Sequence, residues 1–552
     1  MAQNGTGRQV IAIGLDSAEF DVVNRWIEAG HLPNIARVFR SGAVSELQAT
    51  KGYTAETPWT MCLTGCKPGT SGFWTSIRYT PDYRIEDTGA YDYADCGVFY
   101  GYCRGRKVIA LDVPHARPAA GIDGLQLLAW GAHSPLGSPA SVPEELFDEV
   151  VAKYGEHPAF NHDDMLVWET ETKRQALQDA LITGIRRRTQ MCVDLMQTHP
   201  WNLLLIVFGE PHSAGHHFWH LSQPEHPLYE TYATSAQDPM LSVYEAADEA
   251  VGRILAHAPQ DAYVMLFSPE GMKANSSDLP SWFFLPELLF RASFEGRAGM
   301  ANGRAGAPLP PIGRHERMEW MRAMWALRED ANPLRRFVRS RLRLRASWQI
   351  ERLLGSGFGP DHPLSTPSLR YMPPVWYRNA WPAMKAFALP TFSDGYVRIN
   401  LRGREARGIV DPADYDRVCG ELSDLLHGLT DARTGQPMVA EIVRCRKSAG
   451  EPSVEHSPDA DLLVLWTETP TDTVDHPVYG RIGPVPFRRT GDHRPRGFFA
   501  ATGPDIPAGR LPAGELVDIA PTILDLLEVP IPNHFEGRAR LGPNGRLAPN
   551  GG

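Results

Sequence analysis

The sequence predicts an α/β fold with a central, mostly parallel β-sheet that is flanked by helices. Short apolar, β-branched runs alternate with helical patterns, which is typical of parallel strands joined by helices. The chain has 552 residues, too many for one ordinary core, so we expect insertions or two to three domains. The predicted strands are 9–15, 107–113, 125–130, 202–208, 262–268, 396–401, 461–466 and 497–502.

Two helices are predicted to cover this sheet. In 240–256 the apolar side chains recur at helical spacing. In "VDIAPTILDLL", 517–527, a second helix is predicted to end before "VPIPN", because proline cannot continue a helix.

The alternation of strands and helices breaks down between 290 and 385, which is rich in Gly and Pro. We interpret 290–385 as an inserted cap or lid on a core domain of 9–290 and 385–545. The ends, 1–8 and 541–552, are predicted to be flexible. Inside the cap, "RRFVRSRLRLR" is interpreted as a solvated helix face, with a patch for an anionic partner as the alternative.

Composition excludes several classes of protein. A net charge of -10 argues against a general nucleic-acid binder, which needs a basic surface. No apolar run reaches the length of a membrane span, and the N-terminus lacks the pattern of a signal peptide. Seven cysteines without zinc-ribbon spacing indicate reduced thiols. We therefore expect a cytoplasmic protein, and its Ala, Arg, Gly and Pro usage indicates a GC-rich bacterial source.

Two residues are predicted to lie at strand edges. Asp16 directly follows the first strand in "AIGLDSAEF", and His493 lies in the Gly-flanked loop of "RRTGDHRPRGFFAATGPDI" before another strand. Ligands of α/β proteins bind where parallel strands end, so both side chains are candidates for a site. The alternative for Asp16 is that it caps the helix that follows.

The segment "GYTAETPWTMCLTGCKPGTSG", 52–72, predicts a helix with Pro58 in its first turn and Thr57 or Glu56 at or before its cap. The N-terminus of a helix favours anions such as phosphate. A hydroxyl group at this position is a nucleophile if a nearby cation lowers its pKa. The alternative is an ordinary capping threonine.

Four histidines and a glutamate are crowded in "LIVFGEPHSAGHHFWH", 205–220. His212 and His216 are four residues apart, so on a helix both imidazoles face the same way, a spacing that suits a metal ion. Glu210 stands just before them at the strand end. His217 and His220 point in other directions and are predicted to be surface or cap-contacting residues. A solvated histidine-rich loop is the alternative to a metal site.

Several segments of the chain together form the pattern of a known family. They are "VIAIGLDSAEFDVVNRWIEAGHLPNIARVFRSGA", "TPWTMCLTGCKPGTSG", "FALPTFSDGYVRINLRGREARGIV" and "GDHRPRGFFAATGPDI" with the later "VDIAPTILDLLEVPIPNHFEGR". These segments resemble the type I phosphodiesterase/nucleotide pyrophosphatase branch of the alkaline phosphatase superfamily. The resemblance spans roughly 9–290 and 385–540 and implies the fold of that superfamily.

The resemblance implies a two-metal site, usually zinc, in which a Thr or Ser alkoxide attacks phosphorus. Asp16 would be the ligand after the first strand. His216 would be the histidine of a D-x-x-x-H pair, and His493 the late histidine.

The metal ligands depart from the family pattern at two places. His212 stands where the family has the aspartate of D-x-x-x-H. The family's S-D-H-G reads Ser-Pro-Glu-Gly at 268–271, which puts Pro269 and Glu270 at the two ligand positions.

The nucleophile segment also departs from the family pattern, because Pro58 and Trp59 are adjacent where the family has a residue between them. Thr57 and Thr54 are therefore both candidate nucleophiles. Glu56 lies nearest the strict alignment position.

The candidate ligands that this sequence retains despite these departures predict one tightly held metal ion. His212, His216 and His493 form a three-imidazole set with an open fourth position, which is the ligand pattern of catalytic zinc. Asp16, with Glu270 or Glu56, offers oxygen ligands to a second ion that is weak or absent. That second ion would be Zn, or the Mg or Mn that oxygen ligands favour.

The predicted function is a metal-dependent hydrolase or group transferase that acts on a small anionic phosphate mono- or diester through a threonine nucleophile. A shift to sulfate or phosphonate esters fits the altered ligands. The first alternative is a pseudoenzyme that keeps the fold for binding, as Pro269 favours. The second is a histidine cluster that serves as a structural metal clip for the cap.

Overall fold

The structure is a computed structural model of the chain. It describes residues 7–50, 57–87, 96–131, 138–160, 171–233, 238–300, 306–312, 324, 327–328, 337, 341–342, 346, 372–392, 394–453 and 456–541. Thr54 and Glu56 lie outside these residues, as do most of the predicted cap at 290–385 and most of both predicted flexible ends. The domain boundaries and the cap stay predictions.

The strands alternate with helices along the first half of the chain, as the sequence predicts. In chain order they are β1 Val10–Leu15, β2 Ala43–Gln48, β3 Ile77–Tyr79, β4 Ile85–Asp87, β5 Lys107–Leu111, β6 Asp123–Leu128, β7 Ala140–Val142, β8 Leu203–Phe208, β9 Tyr263–Ser268, β10 Gly271–Ala274, β11 Ala386–Leu389, β12 Gly395–Ile399, β13 Thr430–Asp431, β14 Val439–Arg444, β15 Leu462–Trp466, β16 Val474–His476, β17 Gly480–Ile482, β18 Gly491–Arg494, β19 Arg496–Thr502, β20 Gly509–Arg510 and β21 Gly514–Glu515.

Among the described residues, the central sheet has ten strands, in the order β20–β2–β19–β9–β1–β8–β5–β6–β7 with β21 also on β2. Strands β9, β1, β8, β5 and β6 are parallel, which confirms the predicted sheet. Every residue of β1, β8 and β9 is buried, as expected for parallel strands covered on both faces. Because these three strands are parallel neighbours, their carboxyl ends lie side by side at one edge of the sheet.

Three predicted strands exist but pair differently from the sequence interpretation. β12 and β15 belong to a separate antiparallel sheet with the order β11–β12–β15–β14. β19 joins the central sheet but runs antiparallel to β9 and β2. Short apolar runs look alike in parallel and antiparallel sheets, so periodicity alone does not distinguish the two.

The helices pack on both faces of the central sheet. In chain order they are α1 Phe20–Glu28, α2 Pro33–Ser41, α3 Thr57–Thr64, α4 Pro68–Ser71, α5 Leu146–Tyr154, α6 Glu171–Thr198, α7 Glu210–Ser222, α8 Tyr229–Tyr232, α9 Pro239–Leu255, α10 Leu285–Ser293, α11 Tyr415–His427 and α12 Ile519–Leu526. Both predicted helices are confirmed, as α9 and α12. No helix among the described residues combines the length and the apolar character needed to cross a bilayer.

Helix α9 shows why the sequence folds locally as it does. Asp238 accepts hydrogen bonds from the backbone N–H groups of Met240 and Leu241, and Pro239 occupies the first turn. The apolar face of the helix then packs against α6 and α7. α9 thereby buttresses α7, which carries the histidines at 212 and 216.

Candidate metal centre

Asp16 lies at the carboxyl end of β1 and is 2% exposed. The indole N–H of Trp59, on α3, donates to Asp16 Oδ1 at 2.6 Å. Gly14 makes room for that indole, because a Cβ at this position would lie 3.1 Å from the Trp59 ring. Strand β1 and helix α3 are thus joined directly at the candidate site.

Helix α7 follows β8 at the neighbouring strand end and carries His212 and His216 on one face. Their Nε2 atoms lie 2.8 Å apart, and both residues are 4% exposed. The predicted helical spacing of this pair is therefore confirmed.

His493 comes to the same place on β18, which pairs with β10 so that Met272 lies opposite His493. β18 also packs tightly on α7: a Cβ at Gly491 would lie 2.1 Å from the carbonyl oxygen of Gly215. One ring nitrogen from each of His212, His216 and His493 lies within 4.8 Å of the others. The structure brings together three histidines that are separated by up to 281 positions in the printed sequence.

The Nδ1 atom of each ring faces a hydrogen-bond acceptor. His216 Nδ1 lies 2.8 Å from the carbonyl oxygen of Gly491, and His212 Nδ1 lies 3.0 Å from Asp16 Oδ2. His493 Nδ1 lies 3.1 Å from Glu270 Oε2. An imidazole that donates through Nδ1 keeps its lone pair on Nε2, which is the arrangement that orients histidine ligands around metals.

Ser17 lies among these groups, although the sequence did not single it out. Its Oγ donates to Glu270 Oε1 at 3.0 Å and lies 3.3 Å and 3.4 Å from Nδ1 of His212 and His493. Its φ of 53° is in the left-handed region, which is unfavourable for a residue other than glycine. The feature of the sequence that could have identified Ser17 is its position directly after Asp16, at the end of the first strand.

Arg489 is a second residue that the sequence did not single out, although it lies in the quoted loop before His493. Its Nε and Nη2 donate to Asp278 at 2.7 Å and 3.1 Å, so the side chain is anchored by two bonds. Its Nη1 lies 3.0 Å from His216 Nε2. A fixed positive charge thus sits beside the histidine cluster.

Burial lowers the pKa of His216 well below its ordinary value, and Arg489, His212 and His493 lower it further. His216 is therefore a neutral imidazole at physiological pH. A neutral imidazole is the form that binds a metal ion.

The donor set fits one transition metal ion. Zinc–imidazole bonds of about 2.0–2.1 Å place the nitrogens roughly 3–4 Å apart, and the three ring nitrogens lie within 4.8 Å of one another. A second group, Asp16, His212 and Glu270, also lies within 4.8 Å. That group shares His212, and both of its carboxylates already face an imidazole Nδ1.

Thr57 is the first residue of α3, with Pro58 in the first turn as predicted. It is fully buried, and its Oγ1 has no hydrogen-bond partner among the described residues. A buried hydroxyl without a partner is uncommon, because an unmade hydrogen bond costs free energy. The hydroxyl is therefore available to a ligand at the helix N-terminus.

Glu210 is not brought to this cluster. It accepts from Arg188 Nη1 at 2.6 Å and lies 2.9 Å from His157 Nε2 in a buried network that also contains Asp112. Burial raises the pKa of Glu210, but Arg188 and His157 outweigh that effect and hold the pKa below its ordinary value. Glu210 thus belongs to the ion-pair network that holds α6 against α7.

This network predicts a large loss of stability on replacing Arg188 with methionine. The change leaves Glu210 and Asp112 buried without their cation, so we expect the free energy of unfolding to fall by about 3–5 kcal/mol. Denaturant unfolding measures it. Arg187→Met is the matched control, because Arg187 donates to the Glu156 carbonyl at an exposed site. Equal effects of the two changes would contradict this account.

The prediction that His217 and His220 lie at the surface is wrong, and its alternative, contact with the predicted cap, depends on a segment that lies mostly outside the described residues. The two residues are 7% and 0% exposed, and His220 Nδ1 lies 3.0 Å from Thr490 Oγ1. Helix α7 is covered on all sides by α9, α6, α8, β10 and β18, so its other faces are also interior. The sequence could not show this, because β18 comes from a distant part of the chain.

Comparison with known proteins decides the family. The model of the type I phosphodiesterase / nucleotide pyrophosphatase family matches residues 10–318, more than half of the chain. The chain belongs to this family. The resemblance seen in the sequence is thereby confirmed, and the coarse activity class is that of phosphoester hydrolases of the alkaline phosphatase superfamily.

A solved structure of an alkaline phosphatase agrees with the fold of this phosphodiesterase family member. A mutant of the alkaline phosphatase PafA is 11% identical with a TM-score of 0.50, over 97% of this chain and 99% of that one. The Sinorhizobium meliloti 1021 phosphonoacetate hydrolase bound to phosphonoformate is 12% identical with a TM-score of 0.45, over 95% of each chain. Among curated proteins, none matches this chain.

Proposed function

We propose that this chain is a phosphoester hydrolase with a single metal ion, zinc, held by His212, His216 and His493. The observation that carries the proposal is that Nδ1 of every ring faces an acceptor while the rings converge. When bound, the ion supplies positive charge that binds and polarises a phosphoryl oxygen.

Asp16 and Glu270 serve as the carboxylates that orient two of the ligands. Asp16 Oδ2 accepts from His212 Nδ1, and Glu270 Oε2 lies 3.1 Å from His493 Nδ1, so each carboxylate favours the tautomer with its proton on Nδ1. Pro269 has no side-chain donor and occupies one of the positions where the family has a ligand. A second ion between Asp16 and Glu270 would have to displace the hydrogen bond from His212 and the charge contact of Glu270 with His493, so we propose one metal rather than two.

Thr57 is the proposed nucleophile. Its hydroxyl oxygen forms a bond to phosphorus and loses its proton, the bond from phosphorus to the ester oxygen breaks, and the departing oxygen takes up that proton. Water or another alcohol then attacks the phosphothreonine and restores the hydroxyl. Its position in the first turn of α3 places backbone N–H groups and the positive end of the helix dipole beside the phosphoryl oxygens.

Arg489 is proposed to stabilise the negative charge of the transition state. If a metal ion were held at His216 Nε2, that nitrogen would no longer accept from Arg489 Nη1, which lies 3.0 Å away. Asp278 holds the other two nitrogens, so Nη1 points at the cluster, where it would donate to an anionic oxygen of the substrate. This guanidinium supplies positive charge where a second metal ion is lacking.

Replacing Arg489 with alanine is expected to lower kcat/KM by about 10²–10³-fold, the loss typical of one donor to a developing anion. The metal content should stay unchanged, because Arg489 is not a ligand. Arg488→Ala is the matched control, since Arg488 stacks over Trp282 at 5.5 Å. Loss of the metal in Arg489→Ala, or equal losses in both variants, would contradict the assigned role.

The proposed activity is tested by assaying the purified chain against phosphate monoesters, phosphate diesters, sulfate esters and phosphonates, beside His216→Ala purified in parallel. Hydrolysis of a phosphate ester that is absent in His216→Ala supports the proposal. Activity confined to sulfate esters or phosphonates would shift the substrate class. No activity on any of them would favour a protein that keeps the fold for binding.

A further inference from the structure

A second group of metal-binding side chains lies apart from the histidine cluster. Cys66 follows the end of α3, Cys96 precedes the turn at Phe99–Tyr102, and His534 lies in the C-terminal segment after α12. One ligand atom of each lies within 4.8 Å of the other two. Both cysteines are buried free thiols, and His534 is exposed.

The backbone around this cluster is already held in place. Glu536 N–H donates to the carbonyl oxygen of Gly65 at 2.8 Å, and Lys67 N–H donates to Glu536 Oε2 at 2.5 Å. Cys66 Sγ donates to the carbonyl oxygen of His534 at 3.3 Å. Hydrogen bonds therefore hold the turn after α3 against the C-terminal segment, and the candidate ligand atoms are already close together without an ion.

The side-chain chemistry matches a thiolate-binding ion. Structural zinc sites use cysteine and histidine together, at about 2.3 Å to sulfur and about 2.0–2.1 Å to nitrogen. Burial raises the pKa of Cys66 to about 12, and the neighbouring Cys96 raises it too.

We propose that Cys66, Cys96 and His534 form a second metal site, which takes zinc or another thiolate-binding divalent ion and fastens the C-terminal segment to the end of α3. On binding, two S–H bonds break, two sulfur–metal bonds form, and two protons pass to solvent. Three protein ligands leave the fourth position of a zinc ion open to water on the exposed side of His534, in which this site differs from the closed structural zinc sites with four protein ligands.

This site is structural and does not depend on the proposed hydrolysis. Helix α3 begins with Thr57 and ends two residues before Cys66. The second metal site would therefore fix the C-terminal end of the helix whose N-terminal end carries the proposed nucleophile. The cluster escaped the sequence analysis because Cys66 has no nearby partner: Cys96 lies 30 positions away and His534 lies 468.

Cobalt(II) titration of the reduced full chain tests the site directly. Thiolate ligands give a charge-transfer band in the near ultraviolet that histidine ligands do not. We expect about one equivalent of Co²⁺ to produce this band in His216→Ala, where the proposed active-site ion is lost. The wild type should reach the same band intensity with up to one further equivalent, because its histidine cluster also binds Co²⁺. In Cys66→Ser the band should disappear, and in His534→Ala it should require at least tenfold more Co²⁺. Cys62→Ser, which removes a buried thiol one helical turn earlier, should leave the band intact.

Failure of this proposal is distinguishable from failure of the proposed function. The absence of a thiolate band in the reduced wild type overturns the second site, and so does a band that survives Cys66→Ser. A disulfide between Cys66 and Cys96, found by peptide mass spectrometry of the chain as isolated, also overturns the second site, because the two cysteines then form a covalent cross-link and bind no metal. None of these results bears on hydrolysis, which the ester assay measures separately.

Discussion

His216→Ala is expected to abolish turnover while the chain remains folded. His216 supplies one of three Nε2 ligands, and its Nδ1 is fixed by the Gly491 carbonyl. Removing it leaves two imidazoles, which do not hold zinc tightly enough to retain it. Steady-state kinetics on the best phosphate ester should show a loss of at least about 10³-fold, since the metal contributes several kcal/mol to the transition state.

His220→Ala is the matched control for this prediction. His220 lies four residues further along α7 and is fully buried, but it bonds to Thr490 and is outside the cluster. That variant should be less stable yet keep its metal and its activity per folded molecule. With the proposed second site removed by Cys66→Ser, a chelator should lower the Tm of the parent and of His220→Ala but not that of His216→Ala, because only a bound ion stabilises the folded state. An active His216→Ala would refute the catalytic site.

Thr57→Ala is expected to lower kcat by at least about 10³-fold, because the change removes the nucleophile and turnover then depends on water alone. The metal content should be unchanged, since threonine is not one of the three imidazole ligands. Thr57 Oγ1 has no hydrogen-bond partner among the described residues. The substitution therefore breaks no bond of the fold, and the Tm should change little.

Thr54→Ala separates the two threonines that the sequence left open. If Thr57 is the nucleophile, Thr54→Ala retains most of the activity, Thr57→Ser retains part of it, and quenched turnover traps phosphate on the peptide containing Thr57. The reverse pattern, with phosphate on Thr54, would move the nucleophile three residues upstream and contradict the assignment made here.

The parallel centre of the fold could be predicted because its strands are buried on both faces and read as continuous apolar runs. β1, β8 and β9 follow this rule. The antiparallel sheet of β12 and β15 could not be told apart from it, because a strand's partners are set by tertiary packing. The pairing of β18 with β10 could not be predicted for the same reason.

The candidate ligands could be named from the sequence, but the roles of their neighbours could not. The structure brings His212, His216 and His493 together, as the motifs implied. Asp16 and Glu270 were expected to bind metal directly, and the side-chain distances instead lead us to propose that they orient imidazoles. No local pattern in a sequence reveals which nitrogen of a distant histidine a carboxylate will face.

The most direct test of the single-metal site is the metal content of Cys66→Ser, which removes the proposed second site, measured by elemental analysis without added metal. The account predicts one zinc ion per chain. It also predicts that the ion is lost on adding His216→Ala and retained, with weaker affinity, on adding Glu270→Ala. Two ions per chain in Cys66→Ser would contradict the single-metal site and require another ligand beside Pro269. No ion, even after incubation with zinc or manganese, would contradict the metal centre itself.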